Sequence, residues 1–123
     1  IKDPVEQIFW ILERLEAKQL KNTNCGGCLL GNLVVDLVEQ DPSFREHLVR
    51  VFGLWESVIA QILHQAKPQL KPYAKPEILA EQLITTIEGA MLMGKLHQDP
   101  NKLRRGFNSA RQQLNCALLK TDD

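Results

Sequence analysis

The chain has 123 residues, 15 basic against 15 acidic side chains, 44% hydrophobic residues and 6% aromatic ones. That length buries a core without a metal or disulfide staple, and the balanced charge excludes the surplus of Lys and Arg through which non-specific DNA binding neutralises phosphates. Three cysteines, an odd and unevenly spaced set, fit a reducing cytoplasm better than a secreted disulfide scaffold, and no apolar run approaches the roughly 20 residues of a membrane span.

Ile1-Lys2-Asp3-Pro4 has neither the charged and apolar regions of a signal peptide nor an initiator Met, so residues 1–123 read as one domain cut from a longer protein. Almost no stretch alternates as a half-buried strand does, and Pro and Gly divide the chain into about five segments of helical length. The fold class predicted is all-α. Asp3-Pro4, Asp41-Pro42 and Asp99-Pro100 each mark a helix start, because Asp caps an N-terminus and Pro at the first helical position loses no needed N–H. Lys75-Pro76-Glu77 opens another after a Pro-broken connector through Pro68, Leu70, Pro72 and Tyr73.

The first helix, Pro4 to Gln19, aligns Val5, Ile8, Leu12 and Leu15 on one face. Trp10 falls nearly opposite, either flat on the surface or covering an interface with another body. After the polar turn Asn22-Thr23-Asn24-Cys25-Gly26-Gly27 comes a short helix from Cys28 to Glu39, whose Leu29, Leu30, Leu33, Val34, Leu37 and Val38 are too apolar for a surface helix. The third helix, Pro42 to Ala66, carries Phe44, Leu48, Val51, Phe52, Trp55, Ile59, Ile62 and Ala66 along one side and is expected to be the spine.

The fourth helix, Pro76 to His97, has two apolar sides. Leu79, Leu83, Ile87, Ala90 and Gly94 lie on one, and Ile78, Gly89, Leu92, Met93 and Leu96 on the other. One side fits the chain's own core and the other a second body, with Gly89, Ala90 and Gly94 permitting close approach. The fifth helix, Asn101 to Leu119, has a single stripe of Leu103, Phe107, Ala110, Leu114, Ala117 and Leu118 and pairs antiparallel with the fourth across a short turn.

Cys25-Gly26-Gly27-Cys28 is the one local motif with obvious chemistry. A helix directly after it would lower a thiol pKa, which keeps a redox or electrophile-sensing role for Cys25 and Cys28 as an alternative. A thioredoxin-type site, however, needs a βαβ pattern, and zinc usually needs about four Cys or His ligands. A plain turn followed by a buried Cys is the favoured reading. His47, His64 and His97 share no metal spacing, and Ser43 falls in the first turn of the third helix, Ser57 inside that helix and Ser109 on a polar side of the last one, with no local constellation of acid, base and nucleophile. Neither metal, cofactor nor enzymatic activity is expected.

A broad apolar interior remains, of the kind that holds ligands between helices. Phe52, Trp55, Ile59, Ile84 and Met91, with Asn32 and Glu88 as polar members, supply a suitable mixture; for each apolar residue taken alone, core packing is the favoured reading.

Gly27-Cys28-Leu29-Leu30-Gly31-Asn32-Leu33 resembles a segment of the C-terminal effector domain in TetR/AcrR-type bacterial transcriptional regulators. The resemblance continues in order through Asp41-Pro42, Phe44-Arg45, Leu48, Phe52 and Trp55, then Glu88-Gly89-Ala90-Met91-Leu92, Asp99-Pro100 and Leu103, and covers nearly the whole chain. It implies an effector-binding and dimerisation domain whose last two helices form a four-helix bundle with those of a second copy. Gly89, Leu92, Met93, Leu96, Phe107, Ala110 and Leu114 would then supply the homodimer interface. It also sets Leu12, Cys28, Asn32, Phe52, Trp55 and Ile59 near the pocket of a small, mostly apolar effector. DNA would be met only through an N-terminal helix-turn-helix domain, as a repressor would, and no membrane is involved. A stand-alone helical interaction module, docking through the Trp10 face without a small ligand, is the competing class.

Overall fold

The computed structural model describes residues 1–21, 26–37 and 39–120 of the chain. Among these residues five α-helices follow one another as α1 (Pro4–Lys21), α2 (Leu29–Leu37), α3 (Pro42–Gln65), α4 (Pro76–His97) and α5 (Pro100–Ala117). Among the described residues there is no strand, and the chain is all-α as expected. Cys25 and the polar turn before it, Val38, and the side chains of Leu29 and Leu37 lie outside what is described.

The Asp-Pro starts work by the expected chemistry. Asp3 Oδ2 accepts the N–H of Glu6 at 3.1 Å, Asp41 Oδ1 that of Ser43 at 2.9 Å, and Asp99 Oδ1 that of Asn101 at 2.9 Å. Pro76 likewise opens α4, but Lys75 before it makes no capping bond. The side-chain bond from Ser43 holds the Asp41 carboxyl below its ordinary value. Its contribution to stability is therefore complete above the unfolded value and is lost as pH falls through the folded one. Asp99→Ala is expected to cost about 1 kcal/mol, the usual worth of such a cap. Urea denaturation measures it.

The connector after α3 forms a single turn of 3-10 helix at Lys67–Gln69 and then pairs with the end of α5. Lys71 donates to Ala117 and Leu119 to Gln69, both at 2.8 Å. A bidentate pair ties α1 to α5, with Arg111 Nη2 on Glu16 Oε1 at 2.6 Å and Nη1 on Oε2 at 3.4 Å.

The spine is α4 and not α3. Nine α4 residues are buried, from Pro76 to Gly94, whereas α3 buries only Leu48, Ile59, Ala60 and Leu63. Phe44 and Trp55, expected on the inner stripe of α3, are partly open to solvent because α3 is covered on a narrower arc than its periodicity suggested. The α2 helix is likewise more open than its composition implied: Leu30, Leu33 and Val34 are half-buried where it lies across α3 and α4.

Against α4, α5 runs antiparallel in a fixed register: Gly94 faces Leu103, Ala90 faces Gly106, and Thr86 donates to Gln113 at 2.9 Å. Leu103, Phe107, Ala110 and Leu114 close that contact with no accessible surface. With α5 sealing one flank of α4, the other flank is left to α1, α2 and α3, and there the packing is incomplete.

Candidate functional site

A cavity of about 580 Å³ lies between α1, α2, α3 and α4. The α1 stripe supplies Ile8, Ile11, Leu12 and Leu15; α2 supplies Leu30; α3 supplies Trp55, Val58 and Ile59; α4 supplies Leu83, Ile84, Ile87, Glu88 and Met91. The i, i+3, i+4 spacing that makes each helix amphipathic turns these side chains toward one space. The volume suits a small organic ligand, and its wall is largely apolar.

Four polar side chains reach the wall: Lys18, Gln19, Cys28 and Glu88. Gln19 is buried and bonded at both ends of its amide. Its Nε2 donates to the Gly27 carbonyl at 3.0 Å, and its Oε1 accepts the Gly27 N–H at 3.1 Å. This clamp holds Gly27 at φ 78°, a left-handed conformation that favours glycine. Lys18 is exposed at the rim.

Cys28 and Glu88 form a pair. The thiol lies beside the carboxylate at the wall, and its sulfur accepts the N–H of Gly31 at 3.4 Å in the manner of a helix cap. Glu88 lies so close to α2 that a Cβ on Gly31 would stand 2.6 Å from its Oε2, so glycine there leaves the carboxylate its place. Burial pushes the Cys28 thiol above its ordinary value, the Gly31 N–H opposing and the carboxylate adding to the rise. Such a thiol is less of a nucleophile, not more. Burial also pushes the Glu88 carboxyl up, opposed by the bond from Cys28.

A raised carboxyl binds more protons in the folded than in the unfolded chain. Stability therefore falls as pH rises from the ordinary glutamate value through the raised folded one. Glu88→Gln is expected to flatten that part of the profile, which melting temperatures taken across the window will read.

Of the ligand residues expected from the sequence, Leu12, Cys28, Trp55, Ile59, Ile84, Glu88 and Met91 line the cavity. Asn32 and Phe52 do not. They face a separate cleft of about 230 Å³ with Val34, Gly89 and Leu92, on the far side of the Cys28–Glu88 pair. Asn32 is two residues beyond Leu30 and so about 200° around α2 from it; its amide donates to the Gly26 carbonyl at 3.1 Å. Ile11, Leu15, Val58 and Ile87 were not singled out for the cavity, although Leu15 and Ile87 belong to the inner stripes of their helices.

The expected interface residues separate into two groups. Gly89, Leu92, Met93 and Leu96 are exposed on the outer side of α4, where Ile78, Gln82, Thr85, Gly89, Leu92 and Leu96 form one line at alternating spacings of four and three. Phe107, Ala110 and Leu114 must be withdrawn from an interface with a second copy. They have 0% exposure because the α5 stripe is spent on α4 of the same chain. Trp10 is 51% exposed, with the Arg14 guanidinium 5.7 Å from its ring centroid.

Among the described residues, no three His, Cys, Asp or Glu side chains converge as a metal would need, and no helix is long and apolar enough to cross a membrane. His64 bonds Glu77 at 2.5 Å and His47 bonds Arg50 at 2.8 Å, away from the cavity.

Residues 4–110 match the family described as tetracyclin repressor-like, C-terminal domain. An uncharacterized HTH-type transcriptional regulator in the lacX 3′ region of Lactococcus lactis subsp. lactis is 34% identical over 103 residues, 84% of this chain and 50% of that protein. Transcriptional regulator AcuR of Cereibacter sphaeroides is 34% identical over 79 residues, 63% of this chain and 36% of its own length. The crystal structure of regulatory protein TetR from Rhodobacter sphaeroides superposes with a TM-score of 0.79 at 26% identity, covering 90% of this chain and 60% of that one. The chain thus spans half or less of the curated relatives it matches.

Proposed function

This chain belongs to the tetracyclin repressor-like C-terminal domain family of TetR-type transcriptional regulators, and from that membership we propose that it is the effector-binding and dimerisation part of a cytoplasmic repressor. The proteins it matches regulate transcription, and it is not an enzyme. A small, largely apolar effector occupies the cavity between α1, α2, α3 and α4, and its binding lowers the operator affinity of DNA-binding segments joined to two such chains.

The observation that carries this reading is the division of α4. One flank lines the cavity through Ile84, Ile87, Glu88 and Met91, and its outer line, with Leu92 44% and Leu96 68% exposed, is free for a second copy. An isologous dimer on that line uses the same residues from both chains. Effector and partner then act on neighbouring flanks of one helix, so a shift of α4 on ligand binding is felt directly at the interface. Moving such a switch from mostly DNA-bound to mostly released takes about 5.5 kcal/mol of differential affinity between the two conformations.

Operator binding by the whole regulator, followed by fluorescence anisotropy across a library of small apolar compounds, tests it. At least one compound is expected to weaken operator binding by about tenfold or more, a change of about 1.4 kcal/mol. Ile59→Trp, which fills the cavity from α3, is expected to abolish that response while leaving operator binding without ligand intact. An operator affinity that no compound changes would remove the support for induction.

A further inference from the structure

We propose that the cavity takes a cationic ligand, an apolar body carrying a protonated amine, with its ammonium seated on the Glu88 carboxylate. This rests on the reading of the cavity as the effector site and adds the chemical class of its occupant.

The polar inventory of the wall leads there. Gln19 has both ends of its amide committed to Gly27, and Lys18 stands exposed at the rim, where its stem covers apolar surface while its ammonium stays in water. Glu88 is different. It sits in mid-α4 between Ile84, Ile87 and Met91, beside the Cys28 thiol and close against Gly31, and its carboxylate offers roughly four acceptor positions. Among the described residues no Lys, Arg or His lies within salt-bridge distance of it. The wall therefore carries a half-buried carboxylate with spare acceptors and, among the described residues, no cation paired with it.

Any occupant decides the state of that group. A purely apolar ligand strips the remaining water from the carboxylate and returns no hydrogen bond, and a ligand carboxylate adds repulsion to the same loss. A neutral hydroxyl returns one ordinary bond. A protonated amine returns the opposite charge together with up to three charge-assisted donors, the strongest compensation available to a desolvated carboxylate. Discrimination by what is left unpaired is how apolar pockets become selective.

Titration calorimetry of the 123-residue chain with decylamine, decanol and decanoate tests the assignment. Decylamine is expected to bind at least about tenfold tighter than decanol, with decanoate weakest. In Glu88→Gln, verified as folded by its melting curve, the amine-to-alcohol ratio is expected to collapse to about one, and Glu88→Asp, which keeps the charge, to retain part of it. Ile59→Trp is expected to remove binding of both.

Decanol binding as tightly as decylamine overturns the cation assignment while the cavity reading stands, because decanol reports the cavity without the charge. An amine preference that persists in Glu88→Gln or in Ile59→Trp places the amine elsewhere and also overturns it. Binding of none of the three overturns it and takes the cavity reading down with it.

Discussion

Leu114→Glu is expected to abolish folding, whereas Leu92→Glu is expected to leave the fold intact and separate the proposed dimer. Both residues lie on apolar stripes of the last two helices, and the sequence offers no reason to treat them differently. Leu114 has 0% exposure, sealed between α5 and α4. A carboxylate there loses its water with no basic partner provided, a penalty of several kcal/mol added to the roughly 2–5 kcal/mol of the lost leucine packing. Set against a total stability of about 5–15 kcal/mol, that leaves little or nothing. Leu92 is 44% exposed, so the same substitution keeps its charge in solvent and changes the chain's own stability only slightly. In a dimer built on the outer line of α4 the two new carboxylates would meet near the two-fold axis and repel. Far-UV circular dichroism against temperature, with sedimentation velocity, separates the outcomes: no cooperative melting for Leu114→Glu, and a near-native melt with a monomer for Leu92→Glu. A dimeric Leu92→Glu would remove the outer line of α4 from the interface.

The contrast shows what periodicity carries. Spacing of three and four reveals which residues share a face, and it correctly grouped the α5 stripe, both sides of α4 and the α1 stripe along the cavity. It does not reveal which body the face packs on. Of the α5 stripe, which pairs with α4 as expected, Phe107, Ala110 and Leu114 are consumed within the chain and not shared with a second copy; the spine expected at α3 is α4, with nine buried residues against four. Local chemistry was more legible. Each Asp-Pro pair states its helix start in two adjacent residues, and the capping bonds follow from that. The Cys28–Glu88 pair was not legible as a pair, because 60 residues separate two groups that only the packing of α2 on α4 brings together. For the same reason Asn32 and Phe52 fell outside the cavity: which side of α2 turns inward depends on how the helix is laid down, and its composition, apolar on most sides, does not say.

Gly106→Ala is the second substitution with a large expected effect, and its sign runs against helix propensity. Alanine in mid-helix normally gains about 1 kcal/mol over glycine. Here the added Cβ would stand 2.3 Å from the Ala90 Cβ and 2.9 Å from the Ala90 Cα. The second atom is backbone and cannot rotate away, so α4 and α5 must move apart along the register that Leu103 and Phe107 share with Gly94 and Ala90. Overpacking of this kind usually costs about 1–3 kcal/mol, and separating two fully packed helices belongs at or beyond the upper end. The sequence reading assigned close approach to Gly89, Ala90 and Gly94, but a Cβ on Gly89 meets nothing within 4 Å. Gly89→Ala is accordingly expected to stabilise the chain by a fraction of the propensity difference, and the two glycines should shift the urea midpoint in opposite directions. Adding Ala90→Gly to Gly106→Ala removes the nearer clash but not the approach to the backbone, so it should restore only part of the loss. A Gly106→Ala midpoint equal to that of the unaltered chain would mean that α4 and α5 separate without penalty, and the tight crossing would then contribute nothing to holding the outer line of α4 in place.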